Sequence, residues 1–276
     1  LVIVKEAEDA AYFQNSLQNI TGTLEILYFP SSFKNKKNFS QVNSSHIMLR
    51  TEALTKIASG GNKKILVTHA DALFEKVVLS NTLFENTIHI QQAEELDIDA
   101  LLEKFVDYGF EKTDFVYEPG QFAIRGGIVD IYSFGNEKPY RIELFGKEVD
   151  SIRIFNPETQ LSERKLLQVN IIPNIDTQFE ATEKVSLLEF LPSNTVLWIE
   201  DWAYVKERLE QMEEEMDVFL LGKSHEPFDQ NNIPETFEVK KEQPASKGDF
   251  ISARLLEQQL IQKHIIEFGK KTSFNG

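Results

Sequence analysis

The chain has 276 residues, enough for two domains at the usual size of about 150 residues each. Hydrophobic residues make up 41% and charged residues 26%, the proportions of a folded globular protein rather than of a disordered one. The 29 Lys and Arg against 44 Asp and Glu give a formal net charge of −15, which argues against duplex DNA or an anionic membrane as the main partner. Cysteine is absent, which excludes disulfides and thiolate chemistry, and no apolar run approaches the ~18 residues of a membrane span.

Short apolar runs alternate with helical patterns at the beginning of the chain. The runs at 1–5 and 64–68 have no polar alternation, as is typical of strands buried on both faces, and 23–29 predicts a further strand between them. Helical patterns at 6–17 and 46–58 separate them, and the polar stretch 33–45 predicts a loop. Strands that alternate with helices in this way predict a parallel α/β layer. The first residue is Leu rather than Met, and we expect a fragment of a longer protein.

The pattern changes near residue 86. Asp97 is placed to cap a helix whose apolar residues recur at helical spacing, and Gly109 is placed to end it. From 113 to 172 short apolar segments are separated by turn signals, which predicts an antiparallel sheet. The sequence therefore predicts a separate α+β domain over residues 86–174.

Longer elements return after Pro173. We expect a buried strand at 195–199, a helix at 201–219 with an acidic solvated face, a loop at 222–248 and a helix at 249–268. The predicted fold class is thus a discontinuous α/β domain with a parallel sheet, built from 1–85 and 175–276. The α+β domain is inserted within it.

Motifs for catalysis and for nucleotide binding are absent from the sequence. It contains neither a G-x-x-x-x-G-K-[ST] phosphate loop nor G-x-G-x-x-G, and Gly60-Gly61 precedes a strand, so this pair predicts a turn. The five histidines are widely separated, and no two have helical metal-binding spacing. His69 follows a predicted strand, where α/β proteins place ligands, but a lone histidine there more often has a structural role. We assign no catalytic residue, cofactor or metal.

Arginine is concentrated in residues 118–159. Arg125, Arg141 and Arg153 are three of only seven arginines in the chain. In the strand 140–145, a period of two places Arg141 and Phe145 together on one face and the apolar residues on the other.

Phe145 beside Arg141 on an open face has the composition of a protein-binding hot spot. The alternative is that Phe145 folds over the following turn and Arg141 pairs with Glu143 or a neighbouring strand. In the binding interpretation, truncating Arg141 or Phe145 leaves the fold intact.

Gly126 and Gly127 follow Arg125 inside an apolar segment. Glycine within a strand often marks a bulge, and a bulge here would turn Arg125 toward the face that carries Arg141. The alternative is a plain kink of the sheet that needs no partner.

Two ordered motifs carry a family resemblance: GQFAIRGGIVDIY at 120–132 and PYRIELFGKEVDSIRIFNPETQ at 139–160. They resemble the inserted domain shared by the repair helicase UvrB and the bacterial transcription-repair coupling factors (Mfd). Weaker similarity to the coupling factors covers 43–58 and 64–73. The coupling-factor side is favoured because UvrB carries a phosphate loop and a long aromatic hairpin, which 33–45 matches poorly.

The resemblance implies a partner and a fold. In the family the inserted domain binds the damage-recognition ATPase UvrA, and matching motif positions carry that role to Arg125, Arg141 and Phe145. The α/β part is then a degenerate, RecA-like helicase domain similar to the first domain of UvrB. The resemblance also implies a cytoplasmic protein whose motor, RNA polymerase contacts and DNA contacts lie in downstream parts.

Three functions stay open from the sequence. The first is a non-catalytic module that recruits UvrA for transcription-coupled nucleotide excision repair. The second is a fragment of a UvrB-type ATP-dependent helicase subunit that has lost its nucleotide loop. The third is a scaffold that only packs against other domains of its own chain.

Overall fold

The computed structural model describes residues 1–22, 24–35, 38–61, 63–175, 179, 183–223 and 246–269. Contacts divide the chain into two compact units. The first holds Leu1–Ser80 and the described residues from Phe179 onward, and the second begins at Asn81 and includes the residues up to 175. The sequence had placed the corresponding boundaries at 85/86 and 174/175.

Helices and strands are numbered in chain order. Up to residue 78 they are β1 (Val2–Val4), α1 (Ala7–Thr21), β2 (Glu25–Phe29), β3 (Phe33–Asn35), β4 (Asn38–Val42), α2 (Ser44–Ala58), β5 (Lys64–His69), α3 (Ala70–Phe74) and β6 (Val77–Val78). Next come α4 (Ser80–Glu85), β7 (Ile88–Gln91), α5 (Ile98–Asp107), β8 (Glu111–Lys112), β9 (Gln121–Arg125), β10 (Ile128–Ile131), β11 (Tyr140–Phe145), β12 (Glu148–Phe155), β13 (Ser162–Leu166) and β14 (Gln168–Ile171). The last are β15 (Lys184–Val185), α6 (Leu187–Phe190), β16 (Val196–Glu200), α7 (Trp202–Lys223), α8 (Ala253–Leu260) and β17 (His264–Phe268).

The first unit is built on a parallel sheet of five strands in the order β17-β16-β1-β5-β2. Helix α1 packs on the sheet and buries apolar side chains that share this interface: Val2, Val4, Ala10, Ile26 and Val67. Strands from both ends of the sequence lie side by side, because β1 pairs with β5 and with β16. The predicted discontinuous α/β fold with a parallel sheet is confirmed.

The described residues of the stretch 33–45 are not a loop. Strands β3 and β4 pair in an antiparallel arrangement, and α2 already begins at Ser44, where Asn43 caps it. Phe39 is buried, and its ring lies 5.6 Å from both Phe219 and Phe250. Aromatic packing therefore orders a segment whose polar composition suggested a loop.

The single helix expected over 249–268 is wrong as well. Helix α8 ends at Leu260, and 264–268 form β17, which pairs in parallel with β16. Ile265 and Ile266 fit either a buried helix or a strand by their spacing, and β-branched side chains suit the strand better. Most of the expected loop at 222–248 lies outside the described residues.

The second unit is an α+β domain around a sheet in the order β13-β12-β11-β10-β9-β8. All its neighbouring strands are antiparallel except β8 and β9, which are parallel. As predicted, Asp97 caps α5 by accepting a hydrogen bond from the Ala100 N–H, and Gly109 follows the helix with φ of 76°. Helix α5 covers the apolar face, where the Phe105 ring packs edge-on against Phe122.

Tyr140 is buried in this core, and burial raises the pKa of its phenol to about 12. The unfolded chain loses this proton near pH 10 and the folded chain near pH 12. Between these values the unfolded state binds fewer protons, so the free energy of unfolding falls as pH rises. Between these two pH values the free energy of unfolding of the parent should fall by roughly 2 kcal/mol more than that of Tyr140→Phe. Denaturant titrations at a series of alkaline pH values measure the difference. Tyr12→Phe, at an exposed position, is the control, and parallel curves for parent and Tyr140→Phe would contradict the assignment.

Candidate partner-binding surface

The strands β9 to β12 have one apolar and one polar face. Register places Asp130 opposite Arg141, and Arg141 opposite Arg153, so these three side chains share a face. Arg125 and Glu143 belong to the same face, because both pair with Ile128. We call this side of the sheet the polar face; it carries Arg125, Asp130, Arg141, Glu143 and Arg153.

A single buried carboxylate joins two of the three predicted site residues. Asp130 accepts hydrogen bonds from Arg141 Nε to Oδ1 (2.7 Å) and from an Arg141 terminal nitrogen to Oδ2 (2.9 Å). Arg125 donates to the same Oδ2. The Asp130 side chain is only 1% exposed, and a buried carboxylate is stable when such donors surround it.

Arg141 is mostly covered, with 15% of its side chain exposed. Besides Asp130 it donates to the backbone oxygen of Gln160 (3.1 Å), and its guanidinium lies 4.5 Å from the centre of the Phe155 ring. The hydrogen bond to Asp130 raises the pKa of Arg141, although burial opposes it. Of the alternatives for Arg141, pairing with a neighbouring strand is the one observed, and truncation removes a partner of a buried carboxylate. The expectation that the fold tolerates its loss therefore no longer follows.

Arg125 is more accessible than Arg141, with 36% of its side chain exposed. It donates to the backbone oxygen of Asp114 (2.9 Å), and its guanidinium stacks 4.7 Å from the centre of the Phe115 ring. These contacts fix the orientation of the guanidinium, and its other N–H groups stay available to a partner.

Phe145 is 84% exposed at the end of β11. It pairs with Glu148 across a two-residue turn, Gly146-Lys147, in which Gly146 has φ of 65°. The alternative in which Phe145 folds over this turn is wrong, because the ring stands in solvent. A register shift between Glu143 and Leu144 precedes it, because Asp150 is an extra residue of β12 that has no pairing partner in β11.

Gly126 and Gly127 are the turn of the β9–β10 hairpin rather than a bulge inside a strand. Arg125 pairs directly with Ile128, and Gly126 has φ of 60°, which side-chain-bearing residues rarely adopt. A Cβ on Gly127 would lie 2.9 Å from the Leu144 oxygen, and the Leu144 N–H donates to the Gly127 oxygen (2.8 Å). This contact places the turn after Arg125 beside Leu144, the neighbour of Phe145.

The carboxyl edge of the parallel sheet is where α/β proteins bind nucleotides. Here Lys5 forms an ion pair with Asp201 (3.2 Å), and the Tyr204 hydroxyl donates to Glu6, which raises the pKa of Tyr204 to about 12. The Lys5 N–H donates to Glu200. Three carboxylates therefore lie where a phosphate-binding loop would supply positive charge and free N–H groups.

His69, the other residue that the sequence singled out as a possible ligand-binding group, has a structural role. The Ser31 N–H donates to Nε2 of His69, which is buried and holds the chain after β2. Within the described ranges no group of three or more His, Asp or Glu could hold a metal ion. No helix among the residues that the structure describes is long and apolar enough to cross a membrane.

Sequence reasoning missed Asp130, although a signal was available. It is the only acidic residue in the apolar run 128–131, and a carboxylate inside a buried strand needs donors. Its partners could not be named without the register of three strands. Gln160 was also missed. It lies in a loop with φ of 59°, and its backbone oxygen accepts a hydrogen bond from Arg141. The alternating pattern of a strand gives no indication of such a loop residue.

Comparison with known proteins bears directly on the second unit. Residues 88–176 match the family model of the UvrB interaction domain. The resemblance found in the motifs is confirmed.

Transcription-repair-coupling factors from several bacteria are similar to the chain. That of Bacillus subtilis is 33% identical over 185 residues, which is 65% of this chain and 16% of the relative. Those of Borreliella burgdorferi and of Staphylococcus aureus (strain bovine RF122) are each 31% identical, over 63% and 67% of this chain and 15% and 16% of the relatives. The chain thus spans about one sixth of the length of these relatives. A repair-factor module for protein interaction is the function class that these matches support.

Proposed function

We propose that this chain is a non-catalytic module of a transcription-coupled repair factor and that it recruits UvrA through the polar face and the adjoining Phe145. The observation that carries the proposal is an exposed phenylalanine and a partly exposed, oriented arginine on one sheet, within residues 88–176 that match a UvrB interaction domain. Arginine and aromatic residues dominate interface hot spots, and those on a rigid sheet lose little entropy on binding.

Contacts with RNA polymerase and DNA belong, in this proposal, to other parts of a longer protein in the bacterial cytoplasm. The relatives named transcription-repair-coupling factors are about six times as long as the region matched here. The net charge of −15 also makes this chain a poor duplex-binding surface on its own.

A binding titration with purified UvrA tests the proposal. The chain should bind saturably, and Arg125→Ala should weaken binding by about fivefold or more, because it removes a charged group reachable at the interface. Arg164→Ala is the matched control, since Arg164 is an exposed arginine of the same sheet on β13. The proposal fails if the parent chain does not bind, or if Arg125→Ala and Arg164→Ala bind as tightly as the parent.

The alternative, a UvrB-type ATPase, is not favoured. Its phosphate loop is absent from the sequence, and Glu6, Glu200 and Asp201 lie at the sheet edge where nucleotide phosphates would bind. We therefore propose that the chain needs no cofactor and expect no measurable ATP hydrolysis, because the sequence lacks the phosphate-loop lysine and backbone cradle that neutralise charge on a transferred phosphoryl group. A phosphate-release assay checks this, and turnover that persists through further purification would contradict it.

A further inference from the structure

The loop of residues 113–118, which we call the aromatic loop, presents two exposed rings next to Arg125. Phe115 is 48% and Tyr117 55% exposed, and their ring centres lie 6.5 Å apart. Val116 between them is fully buried. The loop thus anchors itself by one apolar side chain and turns its two aromatic neighbours outward.

Hydrogen bonds with three side chains, two of them donors and one an acceptor, hold the aromatic loop to the domain. Arg125 donates to the Asp114 oxygen (2.9 Å), and the Gln160 amide donates to the Val116 oxygen (3.1 Å). The Gln121 side-chain oxygen accepts from the N–H groups of Tyr117 and Glu118 (2.9 and 3.0 Å). A loop fixed at this many points does not need its exposed rings for its own packing.

We propose that Phe115 and Tyr117 form a second part of the UvrA-binding surface, continuous with Arg125. The inference rests on the proposed function and extends it to residues that the motifs did not single out. Continuity is direct, because the Arg125 guanidinium lies 4.7 Å from the centre of the Phe115 ring. Gln160, which binds both Arg141 and the aromatic loop, fixes the loop relative to the polar face. Tyrosine and phenylalanine on a held loop bury area at low entropic cost.

Alanine substitutions test the inference by UvrA binding titrations on the whole chain. Phe115→Ala should lose about tenfold in affinity and Tyr117→Ala about fivefold, with thermal midpoints close to that of the parent. Phe84→Ala is the control, since Phe84 is 45% exposed on α4 in the same unit, and it should bind within twofold of the parent. Phe115→Tyr should retain affinity, because it keeps the ring.

The outcomes separate the two proposals. If Phe145→Ala weakens binding while Phe115→Ala and Tyr117→Ala match Phe84→Ala, the aromatic loop is not part of the surface and the proposed function stands. If Phe145→Ala and Arg125→Ala also bind like the parent, the proposed function fails and the inference fails with it.

A double substitution tests the link between ring and guanidinium. Because Phe115 and Arg125 touch, the variant Phe115→Ala/Arg125→Ala should lose less affinity than the product of the two single losses. If the double variant loses as much affinity as the product of the two single losses, Phe115 and Arg125 do not act as a pair.

Discussion

Phe145→Ala is expected to weaken binding to UvrA about thirtyfold and to leave the thermal unfolding of the chain unchanged. The side chain is 84% exposed and contributes almost nothing to the core, so the fold does not depend on it. In a complex the ring would be removed from water, and aromatic hot spots of this kind carry a large share of the binding free energy.

Leu167→Ala is the control for this substitution. Leu167 is 78% exposed between β13 and β14 of the same unit, so it matches Phe145 in accessibility. Calorimetric titration gives the affinity, and a thermal scan reports the fold. Equal affinity for parent, Phe145→Ala and Leu167→Ala would remove Phe145 from the surface.

Arg141→Ala is expected to lower the free energy of unfolding by about 2–4 kcal/mol. It removes two hydrogen bonds from the buried Asp130 carboxylate and leaves Arg125 as the other ion-pair partner of Asp130 among the described residues. This variant is also expected to bind UvrA more weakly. Its weaker binding would combine the effect of lost structure with that of any lost contact to UvrA. For that reason the exposed Phe145, which is not a partner of Asp130, is the sharper probe of the surface.

Arg153→Ala provides the comparison for Arg141→Ala. Arg153 lies opposite Arg141 in register and pairs with Glu143 (3.0 Å), and both of these side chains are partly exposed. Exposed pairs contribute about 1 kcal/mol or less, so Arg153→Ala should be much milder in urea unfolding. Similar losses for the two variants would show that Asp130 does not depend on Arg141.

Strand parity was the most informative feature of the sequence. It placed Tyr140 and Ile142 inward, and both are buried, while Phe145 is exposed. Asp97 as a helix cap was predictable for a similar reason, since local spacing alone determines it. Features that depend on one element of secondary structure could thus be predicted from the chain itself.

Features that depend on several elements could not be predicted. The Asp130 cluster of Arg125, Asp130 and Arg141 needs the register of β9, β10 and β11, which no single strand encodes. The glycine pair was assigned to a bulge because a hairpin turn and a bulge both use glycine with positive φ. The run 264–268 was assigned to a helix because a short apolar segment fits both periods until its neighbour β16 is known.

Hydroxyl-radical footprinting of the chain, free and saturated with UvrA, tests the central claim most directly, because it reads the solvent exposure of individual aromatic side chains. Oxidation of Phe145 should fall strongly in the complex, while Tyr12, which is 77% exposed on α1 of the first unit, should react at an unchanged rate. The account predicts protection of Phe145 without protection of Tyr12. Full reactivity of Phe145 in the saturated complex would contradict it.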